Sequence, residues 1–162
     1  MAKLFRRVLV PHDFSEPATR ALKVAADLIA DLPGRMTVLH VVPPVYTGPG
    51  IPPEAVVWAP SPENVRELQT RLEALVMRTL GRRTRGVTCR VVVGHPVEAI
   101  LDAARRADVI VMATLGRSGL SHLLIGSVAE NVVRHAPVPV LTVRAPKGRG
   151  AARRAPRARR GR

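Results

Sequence analysis

The chain alternates short, continuous apolar runs with segments of helical period. Arg7-Val8-Leu9-Val10-Pro11 is apolar without alternation, the pattern of a strand covered on both faces in a parallel sheet. Ser15 then offers a helix N-cap, with Glu16 and Pro17 in the first turn. Ala18, Leu22, Ala25 and Ile29 recur at helical spacing until Pro33-Gly34 stops the helix. A second strand is expected over Met36–Val42. A second helix follows, capped by Ser61, striped by Val65, Leu68, Leu72, Leu75, Val76 and Leu80, and closed by Gly81. The third strand is Val87–Val93. Gly94-His95-Pro96 turns it into a short helix with Val97, Ile100, Leu101 and Ala104 inward, and Asp108–Ala113 makes the fourth strand. A helix over 127–135 and a fifth strand over Val138–Val143 complete the pattern. Strand–helix alternation with right-handed crossovers predicts an α/β fold, a three-layer α/β/α sandwich around a five-stranded parallel sheet. The expected strand order is 3-2-1-4-5.

One segment breaks the rhythm. Residues 43–62 hold seven prolines together with Gly48 and Gly50. Proline lacks the donor and the free φ that helices and central strands need, so this reads as a loop of about 20 residues. Loops of that length are functional or disordered. Tyr46 and Trp58 within it would either lid a crevice or sit exposed.

Composition changes the picture in two places. At 162 residues and 17.5 kDa the chain fits one domain. It has no apolar run near the ~20 residues a membrane span needs. Its N-terminus shows no signal-peptide pattern, and the single Cys89 can form neither an internal disulfide nor a cysteine-based metal cage. The expected setting is cytoplasmic. Cys89 itself is expected to be a buried structural thiol.

The net charge of +14 is the second. Nine of the 26 basic residues lie between Arg144 and Arg162, where no acidic residue occurs, leaving 17 basic against 12 acidic residues and a net of +5 over 1–143. The expected division is a folded domain over 1–144 and a disordered, Arg-rich tail over 145–162. Such a tail binds polyanions weakly through counterion release. With 2% aromatics the body offers no base-stacking platform.

Candidate chemistry concentrates between Ala113 and Glu130. Ser127 and Glu130 have capping-box spacing, so a helix is expected to start at 127, with Gly126 just before it and Gly116 just past the fourth strand. A helix N-terminus carries unpaired N–H groups and about half a positive charge, which suits a phosphate. The bland alternative is a loop and a cap. In an open α/β sheet the ligand crevice lies beyond the carboxyl ends of the strands where strand order reverses, here between strands one and four. That point faces Pro11-His12-Asp13. Asp13 suits ribose hydroxyls or a nucleotide-borne magnesium ion; alternatively it caps the next helix. His12, His40, His95, His122 and His135 show no metal spacing and read as surface, turn or helix-end residues. Ser118 and Ser121 lack a nucleophile elbow.

These residues also carry a resemblance. Val8-Leu9-Val10-Pro11-His12-Asp13-Phe14-Ser15, Leu39-His40-Val41, Val93-Gly94-His95-Pro96, Asp108–Ala113 and Gly126-Ser127-Val128-Ala129-Glu130-Asn131-Val132 make the chain similar to the universal stress protein family over about residues 4–144. The resemblance implies the adenine-nucleotide alpha-hydrolase-like fold. Its ATP-binding branch has a Gly-x2-Gly-x9-Gly-Ser/Thr phosphate loop. Here Gly116, nine residues and Gly126-Ser127 match, while Ala113 replaces the first glycine. Alanine keeps the N–H and adds a methyl, at little cost if φ is negative and about 1 kcal/mol if it is positive. By resemblance, a site of Pro11, Asp13, Val41, Ala113, Gly116, Gly126, Ser127 and Val128 would hold ATP, with or without Mg2+. Asp13 would meet the ribose or metal, backbone near Val41 the adenine, and Gly116, Gly126, Ser127 and Val128 the phosphates. The resemblance further implies a homodimer through the last strand, 138–143. No residue is placed to activate water strongly, so at most slow hydrolysis is expected. Two other classes stay open: a dimeric interaction module of the same fold that binds no nucleotide, favoured by Ala113, and nucleic-acid association through the tail.

Overall fold

The computed structural model describes residues 5–30, 33–44, 59–114 and 126–144. They form β1 (Arg7–Pro11), α1 (Glu16–Leu28), β2 (Arg35–Val42), α2 (Pro62–Leu80), a 3-10 turn (Gly81–Thr84), β3 (Val87–Val93), α3 (Pro96–Ala104), β4 (Val109–Ala113), α4 (Ser127–His135) and β5 (Val140–Val143). All pairings are parallel, in the order β3-β2-β1-β4-β5. The expected fold and strand order are thus what the chain adopts.

Period-two alternation in the central strands divides the core into two layers. Val8, Val10, Met36, Val38, Val109 and Val111 face one way and pack against Ala21, Leu22 and Ala25 of α1 and Leu72, Val76 and Leu80 of α2. Leu9, Leu39, Ile110 and Met112 face the other way, against Ile100 and Ala104 of α3 and Ala129 and Val132 of α4. Burial on both sides is why β1 and β4 read as unbroken apolar runs. The helix starts follow the capping rules. Ser15 Oγ accepts from the Ala18 N–H at 3.2 Å, with Pro17 in the first turn. Ser61 Oγ accepts from the Asn64 N–H while Asn64 Oδ1 accepts from the Ser61 N–H, each at 3.2 Å.

Three expectations need correcting. The fifth strand begins at Val140, not Val138, because Pro139 has no N–H to give; only its carbonyl serves the sheet, accepting from the Ile110 N–H at 2.9 Å. Ser127 does not cap α4: Gly126 is the N-cap, Ser127 the first helical residue, and no side chain bonds the cap. Glu130, the expected capping-box partner, instead binds Arg134 one turn on, at 3.0 Å. Cys89 is half-buried rather than buried. Most of the proline-rich segment (45–58), with Tyr46 and Trp58, and the tail lie outside the described residues, as do Gly116, Ser118, Ser121 and His122.

Candidate functional site

The carboxyl ends of β1 and β4 part from each other, and the chain itself explains why. The Arg7 C=O accepts from the Asp108 N–H at 2.7 Å, so peptide groups of residues 7, 9 and 11 face β4. Pro11 is the next residue due to donate on that side, and it has no N–H. Pairing between β1 and β4 accordingly covers only Val8↔Val109 and Leu9↔Ile110, although β4 runs on to Ala113. On the β2 side the ladder continues, with the His12 N–H donating to the Leu39 C=O at 2.8 Å.

The resulting crevice has a volume of about 410 Å³, within the usual range for small-molecule sites. Seven of the eight expected site residues line it: Pro11, Asp13, Val41, Ala113, Gly126, Ser127 and Val128. Gly116 lies outside the described residues. The α4 N-terminus forms one wall. Glu130 is the first residue whose N–H finds an intrahelical acceptor, the Gly126 C=O at 2.9 Å. The amides of Ser127, Val128 and Ala129 therefore stand outside the helix ladder. The Gly126 N–H is already engaged, donating to the Thr114 C=O at 2.8 Å, which ties the helix start to the end of β4. Gly126 thus contributes a bare backbone rather than a donor. Ala113 raises no conformational difficulty, because Phe14 is the one non-glycine residue with positive φ among the described residues.

The opposite wall is the turn after β1. Asp13 Oδ1 accepts from the Ser15 N–H at 3.0 Å, an Asx turn that leads into α1. His12 is 3% exposed. This overturns its reading as a surface or turn residue, and follows from its place as a direct continuation of β1 under Thr19 of α1. The Phe14 N–H donates to His12 Nδ1 at 3.0 Å, and His12 Nε2 lies 3.3 Å from Thr19 Oγ1, which donates to the Ser15 C=O at 3.0 Å. Burial pushes the His12 pKa down to about 4, Asp13 opposing and His40 assisting. The ring is neutral, with its proton on Nε2. His40 Nδ1 donates to the His12 C=O at 2.8 Å, fastening the ends of β1 and β2 together. Phe14 packs edge-on against His40 at 4.6 Å and carries the Arg71 guanidinium 4.7 Å above its ring. Residue types alone single out neither His12, His40 nor Ala129; the one hint for His12 is a polar residue set directly on a buried strand.

An open, doubly wound α/β domain with a crevice at its switch point is what fold and site define together. Residues 4–144 match the universal stress protein family, and the chain belongs to that family. A universal stress protein of Thermus aquaticus is 34% identical over 145 residues, covering 87% of this chain and all of its own. A solved structure from the same family in Burkholderia pseudomallei is 30% identical, with a TM-score of 0.63 over 90% of this chain and 100% of that one. The universal stress protein of Archaeoglobus fulgidus in complex with dAMP superposes with a TM-score of 0.61 at 23% identity, over 86% and 98% of the two chains, a likeness of fold. No helix among the described residues is long and apolar enough to cross a membrane.

Proposed function

We propose that this chain binds ATP or a closely related adenine nucleotide in the crevice between β1 and β4, as a cytoplasmic protein of the stress response. The observation that carries this reading is the first turn of α4. Three amides without intrahelical partners open on a crevice of nucleotide size, at the positive end of a helix. In this reading the phosphates lie on Ser127, Val128 and Ala129, with Gly116 and the bare Gly126 backbone beside them. Asp13 meets the sugar or a magnesium ion brought by the nucleotide, and backbone near Val41 meets the adenine. Pro11 and Ala113 line the floor. Two copies associate through the open edge of β5. The fold admits such a ligand in the Archaeoglobus protein, which holds dAMP.

Titration with a fluorescent ATP analogue tests this. Wild type is expected to saturate, and Gly126→Asp to weaken binding at least tenfold, because a carboxylate would stand where phosphate oxygens belong. No binding by wild type at millimolar nucleotide refutes the reading and leaves a protein-interaction module. The tail carries a separate reading. Arg153, Arg154, Arg157, Arg159 and Arg160, with no acid among them, would retain polyanions without sequence preference. Deleting 145–162 should abolish retention on immobilised DNA at low salt, and unchanged retention would clear the tail.

A further inference from the structure

Phe14 adopts φ 65°, a left-handed conformation that is strained for a side-chain-bearing residue and persists only where its surroundings hold it. The holding group is His12. Its Nδ1 accepts the Phe14 N–H, its C=O accepts from His40, its N–H is fixed on Leu39, and its Nε2 meets Thr19. The imidazole is buried, so water cannot replace it as acceptor for the Phe14 amide. Asp13 lies between these two residues. The point from which its side chain leaves the backbone is therefore fixed by a chain pinned on either side, and its Oδ1 is held by the Ser15 N–H.

We propose that His12 is a positioning residue that aims Asp13 at the sugar hydroxyls of the bound nucleotide, and so sets the preference for ribose over sugars lacking those hydroxyls. The inference rests on the nucleotide reading above. A hydrogen bond to a charged carboxylate separates ligands that keep the hydroxyl from ligands that lack it by about tenfold or more. That separation survives only while the carboxylate is held in place. Loss of core packing alone would weaken both ligands equally.

The test measures the affinity ratio of ATP to 2′,3′-dideoxy-ATP on the full chain by calorimetry, with circular dichroism to confirm folding. Wild type is expected to prefer ATP at least tenfold. His12→Leu removes the acceptor and should bring the ratio near one, as should Asp13→Ala, and the two changes together should do no more than either alone. His12→Asn keeps an acceptor at the δ position and should restore the preference; His12→Gln moves the acceptor one bond out and should not. A folded His12→Leu protein with the wild-type ratio overturns the proposal. If His12→Leu does not fold, equal ratios in the Asn and Gln variants overturn it instead. Wild type that binds both ligands equally leaves nucleotide binding standing and removes the role of His12. Wild type that binds neither removes both.

Discussion

An imidazole buried beneath a strand end costs stability in acid. The His12 pKa is pushed down to about 4, chiefly by burial, against 6.5 for an unperturbed histidine. Above pH 6.5 the ring is neutral in both folded and unfolded chains and contributes nothing. Between 6.5 and about 4 the unfolded chain takes up a proton that the folded chain refuses, so stability falls as pH falls. The full effect is on the order of 3 kcal/mol. Melting temperatures across this window should drop more steeply for wild type than for His12→Asn, and parallel curves would refute the assignment. Asp108 acts lower on the scale. The Arg7 side chain, hydrogen-bonded to it, chiefly holds its carboxyl below the usual range, assisted by the Arg7 and Arg6 N–H groups that donate to it at 2.8 and 3.0 Å. This clamp between β1 and β4 contributes above about pH 4 and is lost as pH falls through the depressed pKa. The gap in melting temperature between wild type and Asp108→Asn should therefore be present at neutral pH and close in strong acid. A gap independent of pH would mean that packing, not charge, is at stake. Thiol chemistry is not expected at Cys89, since burial pushes its pKa up to about 11.

At the scale of elements, the α4 N-terminus allows a test that leaves the helix intact. Proline is well tolerated at the first helical position, because the N–H it lacks is unpaired there. Gly126, with φ −57° and ψ 146°, already has the extended backbone that a following proline requires. Ser127→Pro should leave the melting temperature within a degree or two of wild type, yet weaken ATP about tenfold by removing one amide and one hydroxyl from the phosphate site. Unchanged affinity would show that the phosphates do not rest on this turn. The legibility of each element follows its physics. A strand buried on both faces, such as β1, and helices with one apolar stripe announce themselves; the valine-rich edge strand β3 also has the expected bounds, and seven of the residues lining the crevice are ones the sequence points to. The helix starts at Ser127 as expected, but Ser-x-x-Glu spacing misleads about its cap, since it suits a helix N-capped by Gly126 as well as one capped by Ser127. Glu130, one turn before Arg134, had a better partner available. His12 was hidden for a different reason: periodicity reports the burial of a strand but not of the residue just beyond it.

The described residues form one five-stranded sheet with two edges, and they are treated differently. Along β3, residues 89 and 91 turn their peptide groups outward, since Gly86 and Gly94 bond to β2. Gln69 of α2 occupies that edge. Its Nε2 donates to the Cys89 C=O at 2.9 Å and its Oε1 accepts from the Val91 N–H at 3.0 Å, so one side-chain amide stands in for a neighbouring strand. Glu73 steadies it, accepting a second Nε2 hydrogen at 2.6 Å. An edge filled in this way resists pairing with another chain. On the far side β5 presents Leu141 at 41% exposure, near the middle of a strand that, among the described residues, pairs with β4 alone. If two copies join through β5, a two-fold axis brings the same short edge to itself and extends two five-stranded sheets into one. Leu141→Glu would then place like charges near that axis, and light scattering should report a monomer at concentrations where wild type is dimeric. Gln69→Ala should act in the opposite sense: it uncovers the β3 edge while leaving β5 alone, and species larger than the dimer should grow with concentration. A Gln69→Ala protein that stays dimeric would mean that α2 shields β3 by bulk alone. A Leu141→Glu protein that remains dimeric would place the interface somewhere other than β5.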